Sequence, residues 1–397
     1  MPRITSSILV ANYMNNMKRN LGKMSTLQNQ LSSGNVIKRA SENPYTATRI
    51  MQLNSEISAN KQYNSNIKDT SNWLDTTDTA LSQAGNVLSR IRELMVKAGN
   101  GAYGKDEIST IKDEVVEKVK QLGTILNSSF DGDYIFGGTK SNSKPIIVSD
   151  DGTISYADKN GNALPCKSDG TKITSTTKTA TKIEQVGTDI KISYTNTVAP
   201  ATGTDTVSTI KSAGPPVVLF TNSELETELN TAWPGAGSDL FSSLTDMKQI
   251  DTSLKAEISQ GVEVEYNKTA TDILEFTDPN TGASINVSDV LNDIIDNLTT
   301  ASSTSLSTLT GSNLTQMDAI TKNLLMCRAS VGAMQNRMDS AADNNEEQNY
   351  NMTSILSEVG DVDFTEKTME YSVAQTVYTA TLQTSAKVLT KTLLDYL

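Results

Sequence analysis

Met317, Ile320, Leu324, Cys327, Val331, Met334, Met338, Ala341, Asn345, Gln348, Met352 and Ile355 stand alternately three and four residues apart without a break. This is a heptad repeat: two seam positions recur every seven residues and form one stripe on a helix. At about 1.5 Å per residue the stretch is a rod of roughly 58 Å. A stripe that narrow cannot serve as a globular core, so it demands a partner helix along its length. Asn345 and Gln348 are polar seam positions, which weaken a seam but fix its register. An internal antiparallel coiled coil with no further role would satisfy this stretch by itself.

Working outward, the same texture recurs. Between Thr46 and Ala98 the residues Leu53, Ile67, Leu74, Leu81, Leu88 and Met95 form one seven-residue ladder, interrupted only at Asn60. Its companion seam changes side near Trp73, from Ile50 and Ile57 to Ala84, Ile91 and Ala98. A phase shift of this kind alters the supercoil locally and marks a bend or a change of partner. Gly99 to Gly104 read as a loop. Ile108, Ile111, Val115, Val119, Leu122 and Leu126 then predict a third helix, folded back antiparallel on the second.

Both chain ends are amphipathic. Residues 1–40 hold six basic residues and no acid. Val10, Met14, Met17, Leu21, Met24, Gln28 and Leu31 mark the expected seam. A basic amphipathic helix suits a membrane surface or a transit peptide, but pairing with another helix is the plainer use. Ser32-Ser33-Gly34-Asn35 ends it, with Gly34 or Asn35 as left-handed cap. Ser41 or Asn43 caps the next helix, with Pro44 in its first turn. The long rod stops at Gly360-Asp361-Val362-Asp363. A last helix from Thr365 to Leu397 has its seam at Leu382, Ala386, Leu389, Leu393 and Tyr396. Residues 342–370 carry eight acids and one lysine. They are expected to face the basic N-terminal arm, within a subunit or between neighbours.

The middle differs. Residues 141–287 hold most of the prolines and threonine clusters, with strand-like runs at 145–148, 153–156, 189–194, 217–220, 261–266 and 284–287. Asp150-Asp151-Gly152 and Lys159-Asn160-Gly161 read as hairpin turns. Lys172 to Lys182 is low in complexity and reads as a mobile loop. Helical patches are expected near 224–230 and 240–254, and helix resumes at Ser288. The expected fold is therefore mainly α: a long antiparallel helical bundle of coiled-coil rods formed by both chain ends, with a β-rich inserted outer domain at 141–287.

Composition narrows the function. The 397 residues carry a net charge of −12 and a pI near 4.7, which disfavours nucleic acid as a partner. No apolar run is long enough to enter and span a membrane. The N-terminus shows no apolar signal region, which leaves a cytosolic chain or export without a cleaved signal. Aromatic content of 5% suits thin helices better than a large core. With no histidine in the chain, His-based nucleophilic sites and histidine-ligated zinc are excluded. No catalytic, cofactor or metal residue is assigned. Cys166 and Cys327 lie in segments of different character and are not expected to pair.

Leu31-Ser32-Ser33-Gly34 followed by Arg39-Ala40-Ser41-Glu42-Asn43-Pro44 resembles the N-terminal signature of the bacterial flagellin family. Arg328-Ala329-Ser330-Val331-Gly332-Ala333 with Asn336-Arg337 resembles its C-terminal signature. Arg3-Ile4-Thr5-Ser6, Tyr134-Ile135-Phe136-Gly137-Gly138-Thr139 and Thr392-Leu393-Leu394-Asp395-Tyr396-Leu397 are more similar to the branch that joins hook to filament than to the filament branch. The resemblance implies three regions. Residues 1–43 with 365–397 would be terminal polymerisation helices, 44–140 with 288–364 a helical rod domain, and 141–287 a variable outer domain.

It further implies a subunit exported unfolded through the flagellar type III apparatus, whose ends (1–40 and 366–397) fold on assembly. The implied partners are other copies in a head-to-tail ring, the hook-associated protein 1 side, flagellin, and an export chaperone on the C-terminal helix. The implied interface and packing residues are Leu21, Leu31, Gly34, Arg39, Asn43, Pro44, Arg328, Gly332, Asn336, Arg337, Leu382, Leu389, Leu393 and Leu397. Arg328 and Arg337 would bond neighbouring rods or loops, or simply stand in water. Gly332, mid-helix, would permit a close helix approach. Arg90, Arg92 and Glu93 resemble a flagellin surface read by an innate immune receptor, though a solvated face suits them equally. The alternatives are the main filament subunit, a secreted adhesive module, and an enzyme within 141–287; the zinc-protease inserts reported in some flagellins need histidines that this chain lacks.

Overall fold

The computed structural model describes residues 6–100, 103–164, 173–174, 178–186, 189–196, 206–210, 246–247, 249–279 and 281–388. By contacts the chain divides into Met1–Ser65 with Ala342–Leu397 and Asn66–Ala341. The helices are α1 (Ser6–Ser33), α2 (Pro44–Ala98), α3 (Lys105–Leu126), α4 (Ala270–Leu274), α5 (Val287–Thr300), α6 (Ser303–Thr308), α7 (Leu314–Gly360) and α8 (Phe364–Val388), with a π-helical turn at Leu309–Asn313.

In the second unit the core is made by the expected ladders. Leu74, Leu81, Leu88 and Met95 of α2 are buried with Ala84, Ile91 and Ala98, and so are Met317, Ile320, Leu324, Cys327 and Val331 of α7. Polar pairs beside this seam set an antiparallel register. Arg92 bonds Asp318 at 2.6 Å, Arg328 forms a two-point pair with Asp78, and Gln335 reaches Asp75 at 2.7 Å. Every apolar position expected on α3 is buried. Arg90 ties α3 to α2 through Glu114 at 2.8 Å. The seam of α2 changes side where Trp73 packs edge-on against Phe130 and Tyr266, with centroids 6.1 and 5.9 Å away. Helix α5 starts at Asn286, whose Oδ1 accepts from the Ser288 and Asp289 amides, and buries Val290, Leu291, Ile294 and Leu298.

The strands come in antiparallel pairs. They are β1 (Ser129–Phe130) with β2 (Asp133–Tyr134), β3 (Ile146–Val148) with β4 (Ile154–Tyr156), β9 (Lys255–Ser259) with β10 (Val262–Glu265), and β11 (Glu275–Thr277) with β12 (Ser284–Asn286). A four-stranded sheet orders β5 (Ile173–Thr174), β6 (Lys178–Val186), β7 (Asp189–Asn196) and β8 (Thr206–Ile210) in sequence. Both expected hairpin turns are present, with Gly152 at φ +93° and Gly161 at φ +83°. The low-complexity run 172–182 is a correction. Parts of it are strands, because threonine is β-branched and sits well in a pleated ladder. The expected strand at 217–220 and helical patch at 224–230 lie outside the described residues, while 246–247 and 249–251 are helical.

Two expectations for the rod need correcting. The seam does not continue through Gln348 and Ile355, which are exposed; the expected Met352 turns inward, but with Asn349, Leu356 and Val359 beside it. A straight helix has 3.6 residues per turn, so a strict seven-residue repeat drifts by about 20° per heptad and the buried stripe passes to neighbouring positions. Nor does Gly332 make a close approach within the chain, since a Cβ there would meet nothing within 4 Å. Gly332→Ala is therefore expected to hold or raise the melting temperature, by up to about 1 kcal/mol of helix propensity. A clear fall in a thermal melt would show that the position is crowded after all.

Candidate assembly interface

In the first unit the end of α1 and the end of α7 lie side by side. The Val36 amide donates to the Gly360 carbonyl at 2.8 Å, and the Val362 amide to the Gly34 carbonyl at 3.0 Å. Asn35 and Asp361 thus form a one-residue antiparallel bridge. Gly34 enables it by taking φ +74°, the left-handed cap expected from Ser33-Gly34-Asn35. The chain then turns into α2 on Asn43, whose Oδ1 accepts from the Thr46 amide at 3.2 Å, with Pro44 as first helical residue. Asp363 caps α8 through the Thr365 and Glu366 amides. Two polar seam positions meet nearby: Asn60 is buried and its Nδ2 donates to the Asn345 carbonyl at 2.8 Å. Asn60 is the rung missing from the α2 ladder, so the two irregularities of the sequence pair with each other.

Helices α1 and α8 run antiparallel, with Tyr13 Oη donating to the Thr381 carbonyl. The inward residues include Tyr13, Met17, Asn20, Met24, Leu27 and Leu31 on α1, and Lys367, Glu370, Tyr371, Ala374, Tyr378 and Thr381 on α8. Among the described residues only Leu27 and Ala374 are fully buried in these helices. The expected α1 seam is thus displaced. Met14 and Leu21 are each 50% exposed, and Gln28 is exposed too. On α8, Met369, Val373 and Val377 form a stripe of i,i+4 spacing that is 48–64% exposed. That spacing was the available signal for these residues. The 4-3 run starting at Leu382, itself 41% exposed, competes with it in the sequence. Leu389, Leu393 and Leu397 lie outside the described residues.

The remaining candidate residues fall into separate groups. Leu31 is half-buried. Arg39 is exposed on the rim of a groove of about 490 Å³, whose walls include Ile37, Ala47, Ile50, Met51 and Leu356. Arg328 is held by Asp78, whose hydrogen bonds push its guanidinium pKa up. It therefore ties α7 to α2 in the second unit. Asn336 and Arg337 are exposed on α7. Arg90 and Arg92 do not stand idle: they bond Glu93 and Glu114, and Asp318, respectively.

Among the described residues no cluster of acids and thiols could hold a metal ion, and no helix is long and apolar enough to cross a membrane. Cys327 is free and buried, and burial pushes its thiol pKa up. In a Cys166→Ser chain, Ellman's reagent is expected to label native Cys327 about a hundredfold slower than the urea-unfolded chain, because the thiolate is scarce and shielded. Equal rates would contradict the packing around this thiol.

Residues 4–141 match the family model for the bacterial flagellin N-terminal helical region, and 314–397 that for the C-terminal helical region. Together they span more than half of the chain. The chain belongs to the bacterial flagellin family. It is 24% identical over 372 residues to a flagellin of Clostridium tyrobutyricum, covering 93% of this chain and 94% of that one. It is also 24% identical over 375 residues to polar flagellin A of Vibrio parahaemolyticus, covering 93% and 91%. Among solved structures, a flagellar hook-associated protein from Vibrio parahaemolyticus shares the fold. Its TM-score is 0.50 at 16% identity, over 81% of this chain and all of that one. This flagellin-family chain is a structural subunit of the flagellum. Its family is one of self-assembling structural proteins that associate with other flagellar components.

Proposed function

We propose that this flagellin-family chain is the junction subunit between hook and filament. In this reading it is exported unfolded through the flagellar type III apparatus and assembles outside the cell into a head-to-tail ring. Its partners are further copies of itself, the hook-associated protein 1 side, the first flagellins, and a chaperone that holds the C-terminal helix before export. The regions keep the roles expected of them: residues 1–43 with 365–397 polymerise, 44–140 with 288–364 form the rod, and 141–287 projects outward.

The observation that carries an assembly role is the unfinished burial of α1 and α8. Met14, Leu21, Met369, Val373 and Val377 leave apolar surface for a neighbour to cover. Helices buried so little gain too little to offset ordering entropy of about 1–2 kcal/mol per residue, so their folding belongs with assembly. The choice of junction over filament is supported by the Tyr134 to Thr139 run. Phe136 and Ile135 are fully buried there, Gly138 lets the backbone close on 249–250, and Gly137 lets the turn close on the Lys140 carbonyl.

The main filament subunit is the second reading, favoured by the two flagellins that match 93% of the chain. Electron microscopy of cells lacking the chain separates the two. Bare hooks with flagellin shed into the medium are the expected result. Loss of filaments with no flagellin made would establish the filament subunit. Normal filaments would overturn both readings.

A further inference from the structure

Within the first unit, Lys367 pairs with Glu366 and Glu370, but two other sets of opposite charges stand apart. Among the described residues, the side chains of Lys38 and Arg39 form no ion pair, and neither do Asp343, Glu346, Glu347 and Glu358. Lys38 and Arg39 rim the groove between the start of α2 and the end of α7. Its walls are mostly apolar, with Asn35 and Asn54 among them, and its one carboxylate, Asp361, already accepts from Ser357 Oγ at 2.6 Å. The acids of α7 are ordered as well. Asp343, Glu347, Tyr350, Ser354 and Glu358 recur at 4-3-4-4 spacing and are all exposed, with Tyr350 75% exposed in the middle. This stripe lies on the side of α7 opposite Asn345, Asn349, Met352 and Leu356, which turn inward.

We infer that the groove receives the acidic, tyrosine-centred face of α7 from a second copy of this chain. A copy cannot satisfy itself, because α7 lends Leu356 to its own groove and thereby points the acidic stripe away from it. Groove and stripe are different surfaces on different sides, so the contact is heterologous and propagates from copy to copy, as a ring or tube requires. Tyr350 supplies an aromatic anchor for the apolar walls around Met51, and Glu346 and Glu347 meet Lys38 and Arg39 at the rim. Such a charged rim chiefly sets register and partner choice. The inference rests on the assembly reading above and names the contact that assembly would use.

A photo-cross-linking residue at position 350, introduced into the full chain and irradiated in flagella isolated from cells, tests this. The expected product is a covalent pair of chains joining 350 of one to residues 37–51 of the other. A cross-link to another protein, or to a different segment, overturns the inference. Charge reversal supplies a second measurement. Lys38→Glu with Arg39→Glu, or Glu346→Lys with Glu347→Lys, is expected to lower incorporation into flagella at least about tenfold. All four together should restore it to within about threefold of the unmodified chain. Reversals that incorporate normally, or a combination no better than its parts, overturn the contact while leaving assembly through α1 and α8 intact. Absence of the unmodified chain from flagella would instead remove the assembly reading, and this contact with it.

Discussion

Gly138→Val is expected to lower the melting temperature of the full chain by roughly 6–15 °C. Gly138 sits at φ +59°, where a side chain costs about 1–2 kcal/mol and a β-branched one more. The space is also taken. A Cβ would stand 2.5 Å from the Gln249 carbonyl oxygen and closer still to that of Ile250. Neither can yield cheaply, because the Gln249 carbonyl accepts from both the Thr139 amide at 2.9 Å and Thr139 Oγ1 at 3.0 Å. Forcing backbone aside in a packed region adds about 1–3 kcal/mol, which brings the total to about 3–5 kcal/mol. The run is stitched on every side. Phe136 accepts from the Ala270 amide, the Ile135 amide donates to Ser128, and buried Lys140 donates to the Ala157 carbonyl. Gly132 provides the control: it has φ +92°, but a Cβ there meets nothing within 4 Å. Gly132→Ala should cost only the backbone strain of about 1 kcal/mol. Equal, small shifts for the two variants in calorimetry would refute the account of close approach.

The second large effect concerns assembly rather than stability. Replacing Met369, Val373 and Val377 together by serine is expected to abolish incorporation into flagella while leaving the melt of the isolated chain nearly unchanged. In the single chain these side chains are already half or more exposed, so the change resembles ordinary surface substitution, within about 0.5 kcal/mol per site. In the assembly each would be covered; full burial of such a side chain is worth about 1.5–3 kcal/mol, so covering the exposed half gains about 1–1.5 kcal/mol. Losing three of them removes on the order of 3–4 kcal/mol, several hundredfold in a dissociation constant. Incorporation counted on isolated flagella and melting of the purified chain give the two readouts. Normal incorporation would show that α8 meets its neighbours on another face. A collapsed melt would show that the stripe already serves the monomer.

The candidate site was legible where it depends on local chemistry. Gly34 as left-handed cap, Asn43 and Pro44 at the start of α2, and the stop at Gly360-Asp361 all follow from backbone preferences of single residues. Those preferences act in any context. The same holds for the ladder of α2, since Leu53 to Met95 lie on one stripe whatever the partner. The α1 seam was less legible. Met17, Met24 and Leu31 of the expected seam do turn inward, but Met14 and Leu21 are spaced as well as Tyr13 and Leu27, and periodicity ranks neighbouring stripes equally. Gly332 misled for a related reason, because a missing side chain announces room without saying whether anything fills it. The run 172–182 looked featureless because repetition hides the alternation by which strands are read, although threonine itself favours them.

By its own spacing and turn chemistry, the sequence determined that this chain is built of long paired helices with a β-rich insert, where α1 ends and α2 begins, where α7 stops, and that Asn60 and Asn345 break their seams. Only the tertiary structure decided that those two breaks meet, that Arg328 belongs to Asp78, and that the buried stripe of α7 slips to Asn349 and Leu356. It likewise decided which apolar residues of α1 and α8 remain uncovered. The division has a physical cause. Caps and heptads are set by forces within a few residues, whereas the choice among adjacent stripes depends on what another segment, far along the chain, brings against them.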